Sequence, residues 1–185
     1  MADSVRVRLA SAGADPRAAA HNLLLGLAST LVDRPELTHD EAGRPHVSGL
    51  AVSLTYTQRR VAVAASYEGP VGIDLEEVGR RDFRAVADRW FGQRELEWMA
   101  RQPDQLTAFL RLWTAKEAVG KALGLGLHQG GLRREMPLGG GPVRSASGLS
   151  VTQLPCPGGV LSVAAPTGVS VHQLSPSLDR TCVRG

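Results

Sequence analysis

The run Leu106-Thr-Ala-Phe-Leu-Arg-Leu-Trp-Thr-Ala-Lys-Glu-Ala-Val-Gly-Lys121 constrains this chain more than any other. As a helix it sets Leu106, Phe109, Leu110 and Trp113 in an i, i+3, i+4, i+7 stripe. Four residues further along that stripe stands Glu117, and four beyond it Lys121. A carboxylate and an ammonium thus extend an apolar face. Buried charge is costly unless it is paired or bound to a metal. This end of the helix is therefore a candidate for chemistry. The competing reading is a solvated Glu-to-Lys i, i+4 pair, contributing about 0.2–0.5 kcal/mol.

A second stretch, Pro70-Val-Gly-Ile-Asp-Leu-Glu-Glu-Val78, reads as a strand running into acid. Asp74 and Glu76 are two apart, so on a strand they share one face. Like charges placed there repel unless a cation lies between them. A hard ion such as Mg²⁺ takes oxygen ligands and keeps several waters, so a few carboxylates and a substrate phosphate suffice. Glu117 would bring a third carboxylate from the helix.

The 185 residues allow one generous domain or two small lobes sharing a core, and 43% hydrophobic content can fill it. Aromatic residues are 4%, which argues against a base-stacking platform. A net charge of +3 suits acidic partners without demanding nucleic acid, and no nucleic-acid partner is expected. The pairs Arg59-Arg60, Arg80-Arg81 and Arg133-Arg134 read as solvated surface. Cys156 and Cys182 make no disulfide framework. His21, His39, His46, His128 and His172 show no zinc-ligand spacing. The N-terminal residues lack the apolar run of a secretory signal. The longest apolar run, 23–28, is too short to span a bilayer. A soluble, cytoplasmic protein with no membrane partner is expected.

Taken in order, Val5 to Leu9 reads as a short edge strand. Asp15 and Pro16 mark the N-cap and first residue of a helix over 17–31. Residues 38–45 are polar and turn-rich. Two strands, 50–55 and 61–65, form a hairpin around Gln58, Arg59 and Arg60, and Val71 to Leu75 is expected as the next strand of the same sheet. Helices follow over 83–90, capped by Asp82, and over 93–100. Asp104 is the N-cap of the central helix, and Gly124 and Gly126 are its stop signals. Gly139 to Pro142 reads as loop. Strands over 149–154 and 160–165 flank a Pro-Cys-Pro-Gly-Gly turn, a last strand falls over 169–174, and a polar tail ends the chain. The helix-then-strands order occurs twice, but residue-level self-similarity does not by itself establish duplication.

Val71-Gly72-Ile73-Asp74-Leu75-Glu76 and Leu112-Trp113-Thr114-Ala115-Lys116-Glu117-Ala118-Val119-Gly120-Lys121 together resemble the paired signatures of the 4′-phosphopantetheinyl transferases. Those are a Gly-Ile-Asp-x-Glu strand and, some forty residues on, a Trp-x-x-Lys-Glu-x-x-x-Lys helix. Here Glu76 and Glu117 are 41 apart. Arg89-Trp-Phe-Gly-Gln-Arg-Glu95 is similar to the family's Arg-Phe-Phe-Ser-x-x-Glu link, and Gly43-Arg44-Pro45 to its Gly-Lys-Pro motif. Ser53-Leu-Thr55-Tyr56-Thr57 stands where the family usually has Ser-His-Ser. The resemblance covers about residues 17–165 and is closest to the Sfp-type branch.

The resemblance implies an α+β fold of two similar lobes, each a helix packed on a small antiparallel sheet, forming a pseudo-dimer in one chain. The expected boundaries are 1–70, 71–175 with the transfer site at the lobe interface, and a 176–185 tail. It implies a monomeric, magnesium-dependent holo-acyl-carrier-protein synthase type of transferase. That enzyme moves the phosphopantetheine arm of coenzyme A to a serine of an acyl or peptidyl carrier protein and releases 3′,5′-ADP, in fatty acid, polyketide or nonribosomal peptide synthesis. Asp74, Glu76 and Glu117 match the metal ligands. Glu117 and Lys121 match the catalytic pair. Arg44, Thr55, Tyr56, Lys116 and Lys121 match coenzyme A contacts, and Trp113 is expected to pack beneath the site. Tyr56 replaces the usual histidine near the 3′-phosphate, and the N-terminal half is short for the branch. The alternatives are a non-catalytic relative that binds carrier protein or coenzyme A, and a Mg²⁺-dependent nucleotide phosphohydrolase.

Overall fold

A computed structural model describes residues 4–125 and 131–175. Gly126, His128, Cys182 and the whole of the expected 176–185 tail lie outside them. Strand β1 (Ser4–Ser11) leads into helix α1 (Pro16–Ala28), and a small ribbon follows, β2 (Thr38–His39) with β3 (Pro45–His46). Strands β4 (Ala51–Tyr56), β5 (Arg60–Ser66) and β6 (Gly72–Glu77) precede helices α2 (Arg84–Trp90), α3 (Gln93–Ala100) and α4 (Gln105–Ala122). The chain closes with β7 (Gly141–Pro142), β8 (Leu149–Leu154), β9 (Gly159–Pro166) and β10 (Ser170–Gln173).

Two four-stranded sheets are formed, ordered β10-β1-β5-β4 and β6-β9-β8-β7. They pack face to face, with α1 outside the first and α4 outside the second. Val5, Val7, Ala62 and Ala64 of one sheet meet Ile73, Leu75, Leu161 and Val163 of the other. On the outer faces, Leu24 and Leu27 cover Val63 and Ala65. Phe109, Leu112, Ala115 and Val119 cover Leu149, Val151, Val160 and Ala164. The middle strands β5 and β9 are buried on both faces, so they read as unbroken apolar runs rather than alternating ones.

Local signals survive folding well. Asp15 accepts from Ala18 N with Pro16 as first helical residue, and Asp104 accepts from Thr107 N at 3.0 Å. Gly124 takes φ +69°, the left-handed conformation that ends a helix. Four expectations are corrected. β1 is an interior strand, because β10 pairs with it in parallel on the side away from β5. α1 stops at Ala28, where Ser29 and Thr30 hydroxyls bond back to Gly26 and Leu27 carbonyls. Gly141 and Pro142, expected as loop, pair with Val151 and Ser150.

The fourth correction matters most: β6 does not extend the β4–β5 sheet. Its main chain pairs with β9 from Gly72 to Glu77. Gly72 lets α4 come close to this strand. A Cβ at this position would lie 1.9 Å from Ala118 O and 2.6 Å from Ala122 N. Both atoms are helix backbone and cannot swing aside. Gly72→Ala is therefore expected to destabilise the fold by about 1–3 kcal/mol, as overpacked cores do, read as a lowered Tm. It also pushes Glu117 and Lys121 away from the acids of β6, so activity should fall further than stability alone explains.

Candidate active site at the seam of the two sheets

β6 and the C-terminal half of α4 bring the acids and the lysine together. Asp74 is 7% exposed. Its Oδ1 accepts from Lys121 Nζ at 2.7 Å and from the Thr55 hydroxyl at 3.2 Å. Lys121 Nζ also donates to Ile73 O at 3.0 Å. Lys121 is thus anchored on β6 rather than paired along its own helix with Glu117. Burial raises the Asp74 carboxyl above its ordinary range, and the Lys121 charge opposes that.

Glu117 is pushed up to about 7. Burial is the main cause, followed by the negative charge of Asp74; Lys121 opposes these, and Glu76 adds to them. No hydrogen bond contributes to this balance. Glu117 therefore feels both acids of β6, with no hydrogen bond to offset them. Glu76 is held by Arg81, whose Nη1 lies 3.0 Å from its Oε2. The adjacent Glu77 binds Thr57 and Arg59 of the β4–β5 hairpin, and these contacts hold its carboxyl below the usual range. Arg59 and Arg81, read from sequence as solvated charge, are thus both tied to the acidic strand.

A buried Asp74 and Glu117, with Glu76 acting on both, are a set of oxygen donors suited to a hard divalent cation. Among the described residues no three His, Cys, Asp or Glu side chains close into a ready-made cage. Mg²⁺ does not require one, since one or two carboxylates, waters and substrate phosphates complete its shell. The residues present fit such an ion.

Beside Lys121 opens a cleft of about 450 Å³, lined among others by Gly43, Arg44, Ser53, Leu54 and Gly124. Asp40 shapes its rim by accepting from Ala42 N and Arg44 N, both at 2.9 Å. The Arg44 guanidinium lies against Gly124, where a Cβ would come within 2.1 Å of Nη1. Arg44 and Lys121 therefore put two cations on one cleft. Tyr56 is 46% exposed and lies outside that lining, as does Thr55.

Lys116 is placed elsewhere. Its Nζ is bidentate to Glu95 at 2.8 Å and 2.8 Å and also donates to Arg134 O. Lys116 and Glu95 are each 1% exposed. With Phe91 packed on the ammonium at 4.8 Å, no donor is left to face a phosphate. Burial lowers the lysine's pKa, and the Glu95 charge resists this. Glu95 also accepts from Gly92 N and Met136 N, so it joins α3, α4 and the segment beyond α4. In the sequence Glu95 is visible only as the last residue of the Arg89-to-Glu95 stretch; in the fold its carboxylate also caps α3 by accepting from Gly92 N at 2.9 Å. Trp113 stacks on Phe109 at 5.8 Å in the core under α4.

Residues 70–138 match the family model described as the 4′-phosphopantetheinyl transferase superfamily. The 4′-phosphopantetheinyl transferase AcpT of Salmonella typhi is 38% identical over 104 residues, 53% of this chain and 54% of its own length. The 4′-phosphopantetheinyl transferase gsp of Aneurinibacillus migulanus is 33% identical over 92 residues, 48% of this chain and 38% of its own. HetI of Nostoc, another 4′-phosphopantetheinyl transferase, is 39% identical over 83 residues, 43% of this chain and 35% of its own. The chain thus spans about half the length, or less, of these relatives. The matched segment holds the whole acidic strand and the helix that carries Glu117 and Lys121, and it is over this segment that the chain is similar to the 4′-phosphopantetheinyl transferase superfamily.

Proposed function

We propose that this chain transfers the 4′-phosphopantetheine arm of coenzyme A to a serine hydroxyl of an acyl or peptidyl carrier protein. The serine oxygen forms a bond to the phosphorus next to pantetheine. The phosphoanhydride bond breaks, and 3′,5′-ADP leaves. What supports this reading is that Asp74 and Glu76 both raise the Glu117 carboxyl while Lys121 bonds Asp74, beside a cleft that also carries Arg44.

Phosphoryl transfer needs positioning and charge stabilisation more than covalent help. Asp74, Glu76 and Glu117 would hold Mg²⁺, which when bound supplies charge neutralisation at the pyrophosphate. Lys121 offsets charge on the leaving group, and Arg44 draws the nucleotide phosphates into the cleft. Glu117 takes the serine proton, directly or through a water. Its pKa of about 7 suits that task, because a base titrating near the working pH combines basicity with availability. In this reading the protein works as a cytoplasmic monomer whose two helix-on-sheet halves form a pseudo-dimer, with β10 from the C-terminal part of the chain completing the N-terminal sheet.

Incubation with coenzyme A, Mg²⁺ and an apo carrier protein tests the reading. The expected result is a carrier heavier by one phosphopantetheine at its serine, with 3′,5′-ADP released in equal amount. Coenzyme A breakdown without an acceptor would mean a hydrolase instead. Binding without any mass gain would mean a non-catalytic relative.

A further inference from the structure

Two sheet edges meet at the site without a backbone ladder between them. The main chain of β6 is paired with β9, and that of β4 with β5. Three hydroxyls at alternate positions, Ser53, Thr55 and Thr57, bridge the gap. Ser53 Oγ accepts from Ile73 N at 3.1 Å, the Thr55 hydroxyl donates to Asp74 Oδ1 at 3.2 Å, and the Thr57 hydroxyl donates to Glu77 Oε1. Alternate residues of an extended chain face one way, so one side of β4 is given over to this seam. Ser53 and Thr55 are 5% and 7% exposed.

At the centre of the series, Asp74 Oδ1 is held by two donors from different elements, Thr55 on β4 and Lys121 on α4. Among the described residues no donor bonds Oδ2. We propose that Thr55 is a positioning residue: with Lys121 it fixes Asp74 through Oδ1 and so leaves Oδ2 as the oxygen offered to the divalent cation. This rests on the transferase reading above. It also reassigns Thr55, which the family resemblance puts at coenzyme A. Carboxylate ligands are commonly held in this manner by an outer hydrogen-bond partner, and loss of such a partner weakens metal binding about 10–100-fold.

Thr55→Val keeps the shape and removes the donor. Mg²⁺ is titrated calorimetrically into the protein with coenzyme A bound, and transfer is measured against Mg²⁺ and against coenzyme A. The expected result is a rise of about 10-fold or more in the Mg²⁺ dissociation constant and a parallel shift in the Mg²⁺ needed for half-maximal rate. KM for coenzyme A at saturating Mg²⁺ should stay near the wild-type value, and Thr55→Ser should restore Mg²⁺ binding. Thr57→Val is the control for a loosened seam: it should lower Tm without moving Mg²⁺ affinity. Unchanged Mg²⁺ affinity in Thr55→Val, or a raised KM for coenzyme A alone, overturns the inference while the transferase reading stands. A wild-type protein that binds no Mg²⁺ and transfers nothing overturns both.

Discussion

Glu117→Gln is expected to abolish transfer and, in the absence of divalent cation, to make the protein harder to unfold above pH 7. The two effects share one cause. In the folded protein burial and the charge of Asp74 hold the Glu117 carboxyl at about 7, against an ordinary value of 4.5. Between these values the folded state keeps a proton that the unfolded state releases. Stability therefore falls as pH rises from about 4.5 to about 7 and is flat above that. A glutamine does not ionise, so the variant escapes this loss. Because the group is partly solvated, the gain above pH 7 is on the order of 1–2 kcal/mol, well short of full linkage. Below pH 4 the two proteins should melt alike. Loss of the base and of one cation ligand should lower kcat about 10²–10⁴-fold. Thermal melts across pH, run beside the carrier-protein mass assay, check both halves. Activity near wild type would remove Glu117 from the chemistry, and equal melting at pH 8 would mean that its carboxyl is not strained in the fold.

The second large effect is structural. Lys116→Ala leaves Glu95 buried with only backbone donors from Gly92 and Met136. Breaking a buried ion pair from one side costs about 3–5 kcal/mol, a large part of a domain's net stability. For a chain of this size that is roughly a 6–20 °C fall in Tm. The double variant Lys116→Met with Glu95→Gln should recover much of this loss, because each single change leaves a stranded partner and the pair does not. Kinetics on Lys116→Met at a temperature where it is folded separate the two roles open to this lysine. A core role predicts a KM for coenzyme A close to wild type. A phosphate contact predicts a stable protein with a raised KM, which is not the expectation.

The neighbouring charges Lys116 and Glu117 have such different surroundings because they lie on different faces of α4. Periodicity along the helix places Phe109, Leu110 and Trp113 toward the core and Glu117 and Lys121 on the continuation of their stripe. It says nothing of Lys116, because the second buried face of α4 exists only once α3 and the segment beyond α4 pack against it. The two-residue repeat of a strand likewise puts Asp74 beside Glu76 whatever surrounds them. The caps at Asp15 and Asp104, the stop at Gly124 and both hairpins are legible for the same reason. Each depends on residues within a few positions of one another.

What stayed hidden in the linear chain depends on partners far apart in it. The choice of β9 over β4 as the neighbour of β6, the parallel docking of β10 on β1, the Glu95–Lys116 pair and the Thr55–Asp74 bond all join residues from 19 to 166 positions apart. A run of apolar residues specifies that a strand is buried, not which edge it will meet. Local spacing therefore determined which side chains could act together on one strand or one helix. Bringing those two elements to a single seam, and deciding which charges face it and which are sealed beneath it, required the packing of the whole chain.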